Sequence, residues 1–291
     1  MTATAQELGA GRLLDLTDAQ VCVYEAGRRD GPPLVFLHGF LTSAFTWRDI
    51  YREFTDEYRV ILLDLPGSGA SPAPRVTGWN AERCVRLVDE LFDELHIDKA
   101  VLVGSQMGGS LAAWFAALRG ERVDRLVLMA AGALGEAEAN LTLYRLLAHR
   151  WLGAAVARIF PRRVFEQRWL AAHGPGYRPA PGVVDRYFRQ LRRQGARMAR
   201  VGLDLRLSYG ESFDALAGPI GGLRVPTLLI FGQEDRLVPV STGRRFASLL
   251  ADATLVVLPG CGDFPQEEKP GEVRQAIAGF LGRTGPPRAD R

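Results

Sequence analysis

Six short apolar runs, each closed by turn residues, recur along the chain and constrain its architecture more than any other feature. They are Leu34–Leu37, Val60–Leu63, Ala100–Val103, Leu126–Met129, Leu228–Phe231 and Thr254–Leu258. Runs this short, without polar alternation, read as strands buried on both faces. Helical stretches lie between them. Ala81–Leu95 brings Val85, Val88, Leu91, Phe92 and Leu95 to one face. Gly108–Leu118 is Ala-rich and largely apolar, and Gly243–Leu250 and Glu272–Leu281 supply two more helices. Such alternation predicts an α/β fold: a mostly parallel, doubly wound sheet with helices on both faces. Val21–Glu25 reads as an added edge strand.

The alternation stops between about Gly132 and Leu223. Helical segments replace strands there, around Leu141–Phe160, Val164–His173 and Val183–Gly202. The expected division is a core of residues 1–131 and 224–291 with a helical cap, 132–223, inserted between two strands. Charge follows the same division. Gly135–Ala215 holds 14 Arg against 7 acidic residues, whereas the whole chain of 291 residues is only +3. A basic cap over an acidic core suits an anionic substrate or an acidic carrier protein. A solvated Arg-rich surface is the plainer account, since 34 of the 36 basic residues are Arg. The run Arg186, Arg189, Arg192, Arg193, Arg197, Arg200 is expected to be such a solvated face.

Several classes are excluded. The small net charge argues against a nucleic-acid partner. No apolar run approaches the ~20 residues of a membrane span, so no membrane partner is expected. The N-terminus lacks the basic start and apolar centre of a secretory signal. Three scattered cysteines, Cys22, Cys84 and Cys261, have no metal-ligand spacing and fit a reducing, cytoplasmic compartment. No metal or cofactor is expected.

Chemistry-bearing motifs fall at strand ends, where open α/β sheets bind ligands. They are His38-Gly39-Phe40, the turn Asp64-Leu65-Pro66-Gly67-Ser68-Gly69, and Val103-Gly104-Ser105-Gln106-Met107-Gly108-Gly109. Leu229-Ile230-Phe231-Gly232-Gln233-Glu234-Asp235 and Leu258-Pro259-Gly260-Cys261-Gly262 follow in order. Together they resemble the α/β-hydrolase superfamily, in its branch of capped esterases, epoxide hydrolases and C–C hydrolases, from about Leu34 to Leu281.

The resemblance implies a nucleophile at the strand-to-helix elbow, between small residues two before and two after it. Gly104 and Gly108 are those residues, which puts Gln106 at the nucleophile position. Centring the elbow on Ser105 instead would place Val103 and Met107 where small residues are required. The resemblance puts the acid at Asp235 and the general base, a histidine in the family, at Asp263. The triad positions therefore read Gln106, Asp235 and Asp263, a degenerate set without the Ser–His pair. The backbone N–H groups of Phe40 and Met107 would form an oxyanion hole. Adjacent carboxylates in a covered pocket share a proton. The plainer alternative has Asp263 capping a loop and pairing with a cap Arg.

His38 and Ser105 lie beside the expected pocket, and Trp151 and Trp169 are the cap candidates for its walls. His149 and His173 are expected as partly exposed cap residues. Three functions stay open: a non-hydrolytic cyclase, isomerase or lyase acting on an apolar carbonyl compound such as a polyketide-like intermediate; a hydrolase in which Asp activates water; and a non-catalytic small-molecule binding protein.

Overall fold

The computed structural model describes residues 8–132, 141–208 and 217–282. Parts of the expected cap, 133–140 and 209–216, and the tail beyond 282 lie outside the described residues. Eight strands form one sheet: β1 (Arg12–Asp15), β2 (Gln20–Gly27), β3 (Pro33–Leu37), β4 (Arg59–Asp64), β5 (Ala100–Ser105), β6 (Val123–Met129), β7 (Thr227–Gly232) and β8 (Ala253–Leu258). Their order is β1-β2-β4-β3-β5-β6-β7-β8. The β1/β2 and β2/β4 pairs are antiparallel and the others parallel. All six expected buried strands are present, each within three residues of its sequence bounds at either end. β2 is not the edge strand expected from the sequence. The short, charged β1, Arg-Leu-Leu-Asp, lies outside it.

Period-two alternation splits the apolar core between the two faces. Val35 and Leu37 of β3 meet Val85, Val88, Leu91 and Phe92 of α1 (Ala81–Glu94), with Leu111 and Phe115 of α2 (Met107–Leu118). Leu34 and Phe36 face Trp47, Ile50 and Phe54, and the far helix whose Val273, Ile277 and Phe280 are buried.

Between β6 and β7 the described residues form helices alone: α3 (Leu141–Ala148), α4 (Gly153–Ile159), α5 (Arg162–Ala171), α6 (Val183–Ser208) and the short α7 (Ala217–Gly221). The stretch expected as one helix, Leu141–Phe160, breaks at His149. The His149 Nδ1 there accepts the N–H groups of Trp151 (3.4 Å) and Leu152 (3.3 Å). The 26-residue α6 lies across the loops that follow β3 and β4. Gln190 Nε2 donates to Thr42 O (2.8 Å), Gln194 Nε2 to Gly69 O (2.7 Å) and Arg197 Nε to Gly67 O (2.9 Å).

The arginine run on α6 is therefore not simply solvated. Arg200 and Arg192 also bond carbonyls, of Ala148 and Arg158, and Arg186 lies 3.6 Å over the Phe45 ring. After β7 come α8 (Val240–Leu249), α9 (Pro265–Glu268) and α10 (Pro270–Leu281).

Candidate functional site

The turn between β5 and α2 holds the most strained residue of the site. Gln106 has φ 50° and ψ −117°, a backbone region costing roughly 1–3 kcal/mol for a residue with a Cβ. Its surroundings enforce that conformation. The Gln106 N–H donates to Met129 O (2.8 Å), and its carbonyl accepts from Ser110 N (2.9 Å) and Ser110 Oγ (3.2 Å). The flanking glycines permit the close approach: a Cβ on Gly104 would lie 2.6 Å from Gly109 Cα, and one on Gly108 would lie 2.5 Å from His38 O.

The Gln106 side chain folds over Gly39, where any larger residue would collide with its amide. Its Nε2 donates to the Asp263 carboxylate and to the Asp263 main-chain carbonyl (3.3 Å). A main-chain carbonyl only accepts, so this second bond fixes the amide with nitrogen toward Asp263 and oxygen toward Gly39.

Asp235 follows β7. Its Oδ1 accepts the N–H groups of Leu237 (2.8 Å) and Val238 (2.9 Å), which lock the side chain in a turn. Asp263 follows β8 on a loop pinned from several directions. The Glu234 N–H donates to Cys261 O (2.8 Å), and the Asp263 N–H donates to Ala172 O (2.9 Å) in the helical region. Glu268 accepts the N–H groups of Gly262 (3.0 Å), Phe264 (3.2 Å) and Gly174 (2.6 Å). Sequence reasoning missed Glu268; its only signal was its place a few residues after the Gly-Cys-Gly segment.

Both carboxylates are almost fully buried, and their electrostatics follow from that. Burial pushes Asp235 up to about 7. Burial, and then the charge of Asp235, hold Asp263 well above the carboxylate range, although the Gln106 amide pulls the other way. The neighbouring charges on Asp263 are acidic, from Asp235 and Glu268, not a cap arginine. Each of Gln106, Asp235 and Asp263 keeps one buried oxygen without a hydrogen-bond partner among the described residues: Gln106 Oε1, Asp235 Oδ2 and Asp263 Oδ1. The N–H groups of Phe40 and Met107 likewise make no hydrogen bond among the described residues. The Phe40 ring packs beneath α6 at Gly202 and edge-on to Tyr144, 4.9 Å between centroids.

Other expected site residues are placed differently. His38 is fully buried; its Nε2 accepts the Leu65 N–H (2.9 Å) and its Nδ1 donates to Gly39 O (2.8 Å). Both nitrogens are committed to the backbone, so His38 is a brace and not a substrate contact. Burial lowers it to about 4 and keeps it neutral. Ser105 is also fully buried, facing Gln266 Oε1 at 3.4 Å. Trp151 is 74% exposed, at the corner before α4, and is not buried against the core as a wall residue would be. Trp169 is buried beside Tyr177, Tyr187 and His173. His173 is not exposed as expected. It stacks between Tyr177 and Phe264 at 4.5 and 4.6 Å, next to the Asp263 loop.

Among the described residues no three His, Cys, Asp or Glu side chains gather closely enough to hold a metal ion. A family model described as the alpha/beta hydrolase fold matches residues 32–270. The chain belongs to the α/β-hydrolase fold family. Its sequence is 28% identical over 255 residues to an uncharacterized hydrolase, YugF, of Bacillus subtilis, covering 85% of this chain and 89% of that protein. It is 27% identical over 266 residues to a 2-hydroxy-6-oxo-6-(2'-aminophenyl)hexa-2,4-dienoic acid hydrolase of Metapseudomonas resinovorans, covering 89% and 86%. The crystal structure of a hydrolase from Pseudomonas aeruginosa PA01 superimposes with a TM-score of 0.77 at 26% identity, covering 94% of this chain and 99% of that one. For an α/β-hydrolase fold, the β5–α2 turn is the nucleophile elbow.

Proposed function

We propose that this chain is an α/β-hydrolase-fold enzyme that works without a covalent nucleophile, as a cyclase, isomerase or lyase on a mostly apolar carbonyl compound. The observation that carries this reading is the elbow residue. Gln106 stands there with its amide held between Asp263 and Gly39. An amide attacks no carbonyl, and the family's base position carries Asp263 in place of an imidazole. In this reading the N–H groups of Phe40 and Met107 hold the developing oxyanion. The Asp235–Asp263 pair takes a proton from the carbon beside the substrate carbonyl and returns it at another atom. A carboxylic acid beside a carboxylate is suited to both steps near neutral pH. Gln106 spends its amide nitrogen on Asp263 and holds its oxygen toward Gly39, so its donor groups are not free to polarise a carbonyl.

A second reading has one specific support. Asp235 and Asp263 each keep an unpartnered oxygen, which suits activation of a water, and the relatives above are named hydrolases. A panel of ketones and esters assayed in ¹⁸O-water separates the two. The first reading expects turnover without ¹⁸O in the product, and loss of that turnover in Asp263→Asn. Incorporation of ¹⁸O makes the enzyme a hydrolase. A fluorophosphonate probe is expected to leave the protein unlabelled, and stoichiometric labelling at Ser105 overturns both.

A further inference from the structure

The outer corner of the helical region carries side chains that the site does not use. α4 packs its small residues inward on α6. A Cβ on Gly153 would lie 3.2 Å from the Ala196 Cβ, and one on Gly195 would lie 3.5 Å from the Ala157 Cβ. That contact turns the opposite side of α4 to solvent. Leu152 is 53% exposed and Ile159 77%, and with the exposed Ala155 they recur at i, i+3 and i+7 along one stripe. Trp151, exposed at the corner before α4, and Leu146 of α3 extend the apolar surface.

This surface is framed by arginine. Leu141–Ala171 contains six Arg and one acidic residue, Glu166, which is already paired with Arg162. Arg145, Arg150 and Arg158 are exposed and have no carboxylate partner among the described residues. The Arg150 guanidinium lies 4.5 Å over the Trp151 ring.

We propose that this corner docks on the surface of an anionic lipid bilayer. Trp151, Leu152 and Ile159 enter the boundary between headgroups and acyl chains, and Arg145, Arg150 and Arg158 meet lipid phosphates. α4, about 10 Å long, lies on the bilayer and does not cross it. No helix among the described residues is long and apolar enough to cross. An acidic carrier protein would satisfy the arginines, but it gives no reason for a tryptophan and an isoleucine each about three-quarters exposed beside them. The inference does not depend on the reaction the enzyme performs.

Trp151 supplies its own probe, because Trp47, Trp79 and Trp169 are buried and Trp114 is half-buried. The full chain is titrated with vesicles of phosphatidylcholine alone or with about one third phosphatidylglycerol, while emission and co-sedimentation are followed. Anionic vesicles are expected to bind the protein and shift its emission to the blue, and salt is expected to weaken the binding. The exposed pair Trp151→Ala/Ile159→Ser should weaken co-sedimentation about ten-fold with unchanged thermal unfolding. No binding to anionic vesicles, or equal binding by the double variant, overturns the proposal. So does sedimentation velocity showing a dimer that the double variant dissolves, because the corner would then be a contact between copies of this chain.

Discussion

Gln106 occupies a backbone geometry that the β5–α2 turn imposes whatever side chain stands there. Changing that side chain therefore tests chemistry more than folding. Gln106→Ser restores a hydroxyl at the elbow, but a hydroxyl needs a base to take its proton. His38, whose carbonyl lies against Gly108 of the elbow, has both nitrogens bonded to the backbone. Gln106→Ser is therefore expected to hydrolyse a chromogenic acetate ester no faster than the natural protein. Adding Asp263→His supplies the missing imidazole next to Asp235, and measurable esterase activity is expected only then. Activity in the single variant would reveal another base and remove Asp263 from its proposed role. This much was legible in the sequence, because glycine spacing fixes the elbow. The direction of the amide was not, because it depends on one carbonyl, Asp263 O, brought in from 157 residues away.

At the scale of elements, one side chain gathers several of the backbone donors around the β8–α9 loop. Glu268 accepts three backbone N–H groups, two from its own loop and one from Gly174 across the junction with the helical region. Glu268→Ala would leave donors unpaired on the buried Gly174, Gly262 and Phe264. It is expected to cost about 2 kcal/mol in urea unfolding and to raise proteolysis around Ala172–Tyr177. Glu268→Gln, which keeps an acceptor, should recover much of the loss; equal damage from both would point to charge and not to hydrogen bonding. α6 shows the limit of reading such junctions from sequence. Its arginines and glutamines have the spacing of a solvated face, and only the fold reveals that Gln190, Gln194 and Arg197 each find a loop carbonyl. The strands were legible because an apolar run needs no partner to identify it. β1 was not, because four residues with charged ends carry too little pattern.

For the whole molecule, buried titratable groups of opposite kind set how stability follows pH. Asp235 and Asp263 are raised. Between about pH 4, where an unfolded carboxylate ionises, and about 7, the folded chain keeps protons that the unfolded chain has released. The Asp235 contribution to stability is fully present below about pH 4 and is lost as pH rises through 7, and Asp263 acts in the same direction. His38 runs the other way. Lowered to about 4, it contributes stability above its unfolded value of about 6.5, and that is lost as pH falls through 4. The two slopes oppose each other, so the natural protein's own profile isolates neither. The difference between it and Asp263→Asn removes the His38 slope, which both share. Asn carries no charge to desolvate and can still accept from Gln106. The variant should therefore gain stability relative to the natural protein as pH rises from about 4 to 8, by about 1.4 kcal/mol for each unit by which burial raises Asp263. Urea unfolding of both proteins at several pH values measures this directly. Parallel profiles would mean that Asp263 ionises as freely when folded as when unfolded, and the proposed proton-sharing pair would be lost with it.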